Sequence, residues 1–197
     1  NYQVAAGSSI DALPYRDQGL AGRVTYSYDD RYFIEGNFGY NGSERFAENN
    51  RMGFFPAGGL AWVASSEPFM QSVSNWLSYL KFRASYGKVG NDGIVATPRF
   101  VFLPIIDRLN NPKYANPQPG GATDYYRYIV SAYPNKDIEW EIAEQINFGM
   151  EAKMFSGILE FTLDAFQEIR HNVIGNKNTL PSSAGVEVAP LANIGKS

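Results

Sequence analysis

The chain has 197 residues, 44% of them hydrophobic, and a formal net charge of −3, which gives no reason to expect a nucleic-acid partner. It contains no cysteine, so thiolate zinc sites, cysteine nucleophiles and disulfides are excluded. No apolar run approaches the ~20 residues of a membrane-spanning helix, while an aromatic content of 15% and 19 glycines point toward strands and turns.

In chain order, residues 1–19 are small and polar and read as a loop. The first residues are not a signal peptide, so Asn1 is expected to lie within a longer protein. Leu20–Tyr28 alternates, with Gly22, Val24, Tyr26 and Tyr28 on one face and Arg23, Thr25 and Ser27 on the other. After a short turn at Asp29–Arg31, the residues Tyr32, Ile34, Gly36, Phe38 and Tyr40 continue the apolar face, opposite Glu35 and Asn37. A polar loop follows, then AGGLAWVA after Pro56, where Leu60 and Trp62 are assigned to the apolar face. Residues 65–78 read as a connector with a helical turn around Phe69–Trp76. Leu80, Phe82, Ala84 and Tyr86 then alternate with Lys81, Arg83, Ser85 and Gly87.

From Lys88 to Glu139 the pattern dissolves into Gly-, Asn- and Pro-rich stretches, too long for a structureless link in a compact soluble domain. Arg99–Asp107 and Tyr128–Tyr133 are candidate strands within it. The strongest signal comes next. Ile146, Phe148, Met150, Ala152 and Met154 alternate with Gln145, Asn147, Gly149, Glu151 and Lys153, the two-residue period of a strand with unlike faces. The period resumes after Ser156-Gly157 with Leu159, Phe161, Leu163 and Ala165, which predicts a hairpin pairing Met154 with Leu159 and Lys153 with Glu160. Residues 171–191 are again loop-like.

These arms are more than twice the mean strand of about 5 to 6 residues in soluble domains. At about 3.3 Å per residue and a tilt near 40°, the stripe from Ile146 to Met154 spans roughly 20 Å, close to the ~25 Å apolar band of an outer-membrane barrel. The expected fold is therefore all-β: an antiparallel up-and-down transmembrane barrel, present as an incomplete segment of wall with about six strands, short links at one end and long outer loops at the other. A soluble β-sandwich shows the same alternation with its apolar face turned to a core, and alternation alone does not separate the two.

Four stretches carry a family resemblance. Asn50–Trp62 (NRMGFFPAGGLAW), Leu80–Asn91 (LKFRASYGKVGN), Ile138–Phe166 with its Trp-Glu and Gln-x-Asn-x-Gly pattern, and Leu180–Gly195 with its Leu-Pro and Asn-x-Gly pattern stand in the order found in the SusC/RagA-type TonB-linked outer-membrane transporters, which this chain resembles. Val89 stands where that family's pattern has Thr. The resemblance implies that residues 1–197 belong to a barrel domain of about 22 strands, with the lumen plug and the TonB-contact segment in sequence outside this chain. It also implies a cell outer-membrane location, a SusD-type surface lipoprotein as partner, and energised import of a glycan or peptide through the TonB complex. A passive porin is the alternative function within the same architecture.

The chemistry of the chain fits this better than catalysis. His171 is the single histidine, so a Ser-His-Asp triad in this chain has only His171 to use and a two-His metal site has no second histidine. Glu139 and Glu141 flank Trp140 as paired carboxylates do in a glycosidase, but they read as solvated rim charges. No nucleotide-binding loop occurs, and no catalytic residue, metal or cofactor is expected. Arg23, Glu35, Asn37, Lys81, Arg83, Asn147, Glu151 and Asp164 fall on the polar face and are the candidates for a lumen lining. In the loops, Tyr114, Tyr125, Tyr126 and Tyr128 are candidates for stacking on a solute or contacting a lid protein.

Overall fold

The computed structural model describes residues 14–93, 99–109, 115–118, 121–124, 127–179, 183, 185 and 188–197. Its strands run β1 (Asp17–Tyr28), β2 (Tyr32–Ser43), β3 (Met52–Val63), β4 (Leu77–Asn91), β5 (Ile105–Leu109), β6 (Ala115–Gln118), β7 (Gly121–Asp124), β8 (Arg127–Ala132), β9 (Glu141–Met154), β10 (Leu159–His171), β11 (Val173–Asn176) and β12 (Leu191–Gly195). Six of them form one antiparallel sheet in the order β1-β2-β3-β4-β9-β10, open at both edges. The remaining strands pair in three two-stranded sheets: β5 with β8, β6 with β7 and β11 with β12.

Register keeps the apolar rows of the sheet in phase from strand to strand, because one slip would invert a whole strand. Across the wall run the rows Tyr26–Ile34–Leu60–Ala84–Phe148–Ala165 and Tyr28–Tyr32–Trp62–Phe82–Met150–Leu163. The predicted pairs Met154–Leu159, Ala152–Phe161, Met150–Leu163 and Lys153–Glu160 are all present. Leu60 and Trp62 take the face assigned to them, opposite Ile34 and Tyr32.

No second layer covers this face among the described residues: Val24 is 74% exposed, Leu60 60%, Ile146 50% and Leu163 50%. The buried cluster lies instead at the long-loop end, where Phe46, Phe55, Val101, Ile138 and Trp140 meet, with Ile142, Ile174 and Leu191 packed against them. Trp140 has its ring centroid 5.2 Å from that of Phe46 and 5.3 Å from that of Phe55, and its indole N–H donates to the Arg51 carbonyl. A Cβ at Gly90 would overlap the ring of Phe55, so glycine is what lets that ring lie over β4. Backbone bonds from Val101 to Arg45 and from Asn135 to Val101 stitch the loops together, and the amide of Asn135 donates to the Leu191 carbonyl.

The short links gather at the opposite end. Asp29 and Asp30 both hold positive φ (53° and 50°) in the β1–β2 turn, a conformation that aspartate tolerates better than most residues. The β3–β4 connector forms 3-10 turns at Ala64–Ser66 and Pro68–Val73, slightly earlier than the sequence placed its helical turn, because Pro68 initiates it. The β9–β10 tip is a four-residue connection, Phe155–Ile158, and not a two-residue Ser-Gly turn; Phe155, Ser156 and Gly157 all have positive φ (51°, 57° and 88°). In the long region, the strand expected over Arg99–Asp107 begins only at Ile105, since residues 99–103 turn away to bring Val101 into the rim cluster. Together with β8 it forms a separate hairpin that does not extend the main sheet. The stretch 171–191, read as loop, supplies β11, which pairs with β12. Beyond β12 the chain returns to the edge of β10, where Arg170 and Ser197 exchange backbone bonds of 2.8 and 3.1 Å.

Candidate functional site

The face opposite the apolar rows carries all eight candidate lining residues. The register places Arg23 opposite Asn37, Lys81 opposite Glu151, Arg83 opposite Gly149, Ser85 opposite Asn147, and Gly149 in turn opposite Asp164. Seven of the eight line one broad hollow, along with Thr25, Ser27, Gly59, Ser85 and Gly87; Glu151 lies outside it.

Three groups of contacts organise this face. On β1 and β2, Arg23 pairs with Glu35 at 2.6 Å, and the Asn37 amide donates to the same carboxylate at 3.2 Å. On β4, β9 and β10, the Arg83 guanidinium spans three strands: it donates to both oxygens of Asp164 at 2.7 and 2.9 Å and lies 3.2 Å from Glu151. Gly149 sits beneath it, where a Cβ would come within 2.7 Å of both Arg83 Cγ and Asp164 Oδ1. Both bonds to Asp164 come from one nitrogen, Nη2, while Nη1 faces Glu151, so the planar guanidinium divides its donors between two carboxylates, which fixes its orientation as well as its charge. Toward the turn end, Lys81 stands 6.0 Å from the Phe33 ring centroid, and Lys153 pairs with Glu160 at 2.8 Å.

Between these flanks, the central residues Ala57, Gly59 and Ala61 of β3 and Ser85 and Gly87 of β4 are small, so the middle of the face has low relief. The surface therefore offers fixed charges of both signs around a shallow lane. It can bind polar groups; among the described residues it holds no cluster of His, Cys, Asp or Glu able to hold a metal ion.

His171 lies at the outer end, 3.8 Å from Glu144, which is also paired with Lys88 at 2.8 Å. Glu139 is exposed, while Glu141 lies 3.8 Å from Arg170. Of the loop tyrosines, Tyr128 stands on β8 with 67% of its surface exposed, and Tyr114, Tyr125 and Tyr126 lie outside the described residues.

Two features escaped sequence reasoning. Phe33 and Phe166 fall on the polar face, where the alternation of their strands puts them against their residue type. Glu67, in the connector, is 9% exposed and accepts hydrogen bonds from the Tyr32 hydroxyl and the Trp62 indole, with Arg31 3.6 Å away. These bonds, the Tyr32 one first, hold its carboxyl below the usual glutamate range against the opposing effect of burial. Nothing in the sequence around Glu67 marks it, because its partners come from two other strands.

Comparison with known proteins gives one pattern. A family model described as TonB dependent receptor-like, beta-barrel, matches residues 2–197. TonB-dependent receptor P39 of Formosa agariphila is 30% identical over 192 residues, covering 95% of this chain and 17% of that protein. TonB-dependent receptor SusC of Bacteroides thetaiotaomicron is 30% identical over 174 residues, 88% of this chain and 17% of its own length. Among solved structures, the RagAB peptide importer in its open-open state superposes with a TM-score of 0.74 at 25% identity, over 92% of this chain and 18% of the matched chain. The chain thus spans under a fifth of the length of the relatives it matches.

Proposed function

We propose a transport role from a fixed premise: this chain belongs to the TonB dependent receptor-like β-barrel family and is a segment of an outer-membrane barrel wall of the SusC and RagA type. The protein containing it takes up a nutrient, a glycan or a peptide, by energised passage through the barrel, with a plug and a TonB-contact segment supplied by sequence outside residues 1–197. It carries out no covalent chemistry on the solute, and it works with a surface lipoprotein of the SusD type at the long-loop end. The polar face, with Arg23, Glu35, Asn37, Lys81, Arg83, Asn147, Glu151 and Asp164, is turned toward the lumen, and the apolar rows contact lipid.

One observation carries this reading: long, in-register strands leave a continuous apolar face bare while the polar face is internally ion-paired. A soluble module would pack those rows against a second layer, since large exposed apolar patches mark an interaction surface. Tyr128, on the projecting β5–β8 hairpin, is assigned to solute or lid contact together with Tyr114, Tyr125 and Tyr126.

Uptake of labelled oligosaccharides and peptides by cells expressing the full-length protein tests the function. Accumulation of one solute class is expected, and it should stop when the membrane is de-energised or the TonB complex is removed. Uptake that persists unchanged without energy would identify a passive porin and overturn the proposal.

A further inference from the structure

The most exposed aromatic among the described residues stands on the polar side of the wall. Phe166 on β10 is 81% exposed and pairs with Asn147, whereas the other exposed aromatics of the six-stranded sheet belong to the apolar face. We propose that Phe166, with Asn147 and Ser85 beside it, forms a ring-stacking site in the lumen, on which a neutral sugar ring of the imported solute lies during passage. This rests on the reading of the polar face as lumen-facing and narrows the solute met by this part of the wall to a glycan.

Register defines the surroundings of the ring. One row across the polar face reads Thr25, Glu35, Gly59, Ser85, Asn147 and Phe166. Gly59 and Ser85 leave the middle of the row low, so Phe166 and Asn147 rise from its β10 end. A strand added at that edge, where Ser197 already bonds to Arg170, flanks the ring without covering it, because strand side chains stand roughly perpendicular to the sheet. On its own strand the ring lies between two carboxylates that already have partners. Asp164 accepts from Arg83 at 2.7 and 2.9 Å, and Glu168 accepts from Gln145 at 2.8 Å and from Arg170 at 2.7 Å. Asn147 and Ser85, by contrast, make no side-chain hydrogen bond among the described residues.

Chemistry chooses the occupant. An apolar ring bare in a polar lining suits a ligand with one apolar face and a polar rim, and a pyranose has that shape. Its C–H bonds meet the electron-rich face of the aromatic ring, while its hydroxyls reach amide and hydroxyl groups of the kind Asn147 and Ser85 hold free. A charged solute would have to draw Arg83 or Arg170 away from carboxylates they already hold, leaving one charge without its partner in exchange. A wholly apolar ligand would strand the amide and the hydroxyl instead. The neutral, hydroxyl-rimmed ring uses what the wall leaves uncommitted and disturbs no existing pair.

The test is uptake of radiolabelled maltoheptaose, cellohexaose and xylohexaose, and of a labelled neutral peptide, by cells expressing the full-length protein with Phe166→Leu, Phe166→Tyr or Asn147→Ala. Phe166→Leu keeps apolar bulk but removes the flat face, and should raise the half-saturation concentration for the imported saccharide roughly tenfold at unchanged maximal rate. Phe166→Tyr should restore the wild-type value, and Asn147→Ala should raise it about threefold. Heat-modifiable mobility on gels reports whether each variant folds, and Asn147→Ala, on the neighbouring strand, carries the test if Phe166→Leu does not. Wild-type half-saturation in Phe166→Leu and Asn147→Ala overturns the site and leaves the transport reading intact. A lower maximal rate at unchanged half-saturation overturns it too, since Phe166 would then serve the gating of the barrel and not the solute. Import of the peptide alone, or of no probe, equally overturns it. Saccharide accumulation that persists without energy fails the transport reading alone, because the half-saturation comparison still judges the site.

Discussion

The wall and the outer rim use the same apolar residue types to opposite ends. At the rim, Phe46, Ile138 and Val101 are 0–2% exposed, and Trp140 closes the cluster with its indole N–H paired. In the wall, Phe148, Leu163 and Ile146 stand about half exposed with only their cross-strand neighbours beside them. The rim is a small protein core of the ordinary kind, stabilised by burial away from water at roughly 25 cal/mol per Å². The wall has satisfied its backbone hydrogen bonds internally and left its side chains for a solvent that is not water. One chain therefore folds by two rules, and each region should respond to substitution by its own.

The largest separation comes from Trp140→Ala. Removing an aromatic from a packed core costs about 3–5 kcal/mol, and here that loss should stay local. Hydrogen exchange is expected to accelerate at Val101 and Asn135, whose amides bond within the rim, while the barrel keeps its heat-resistant mobility on gels. Loss of the barrel along with the rim would mean that the two regions are one cooperative unit. Leu163→Arg probes the other rule. A cation on the lipid face near the midplane costs about 2–4 kcal/mol, whereas Thr162→Arg, one residue earlier and opposite Glu151, should cost almost nothing. Reversible unfolding in vesicles measures both, and equal costs would contradict a two-solvent wall.

The wall was legible in the sequence and the rim was not, for a physical reason. Ile146–Met154 and Leu159–Ala165 declare their faces through a local two-residue period, and once the faces are set, register follows, down to the 2.8 Å pair of Lys153 with Glu160. The rim is assembled from residues far apart in sequence. Phe46 lies in a polar loop, Val101 in a turn and Trp140 ahead of a strand, and no periodicity links them. Leu191 and Ile174 reach that cluster through a short hairpin whose arms are too brief to alternate visibly. The polar face was intermediate: alternation put Arg83 and Asp164 on one side, but their contact across Gly149 depends on the order β4-β9-β10, which skips four strands of the chain.

The smallest expected effect lies where the wall meets its short links, and it distinguishes the two rules by pH. Glu67 belongs to neither a lipid face nor the rim core; it is nearly buried, and hydrogen bonds from Tyr32 and Trp62 lower its pKa. A carboxylate whose folded pKa lies below its unfolded one binds fewer protons in the folded state across that interval, so its contribution is complete above the unfolded value and fades as pH falls through the folded one. The connector should thus hold firm from neutral pH down to the ordinary glutamate range and loosen progressively below it. Emission from Trp62, isolated by replacing the other tryptophans with Phe, is expected to shift over that acidic interval, and Glu67→Gln should abolish the transition. If the transition survives in Glu67→Gln, the pH dependence belongs to another carboxylate and the link is held by its apolar contacts alone, which would make the short end an extension of the lipid-facing wall with no polar clasp of its own.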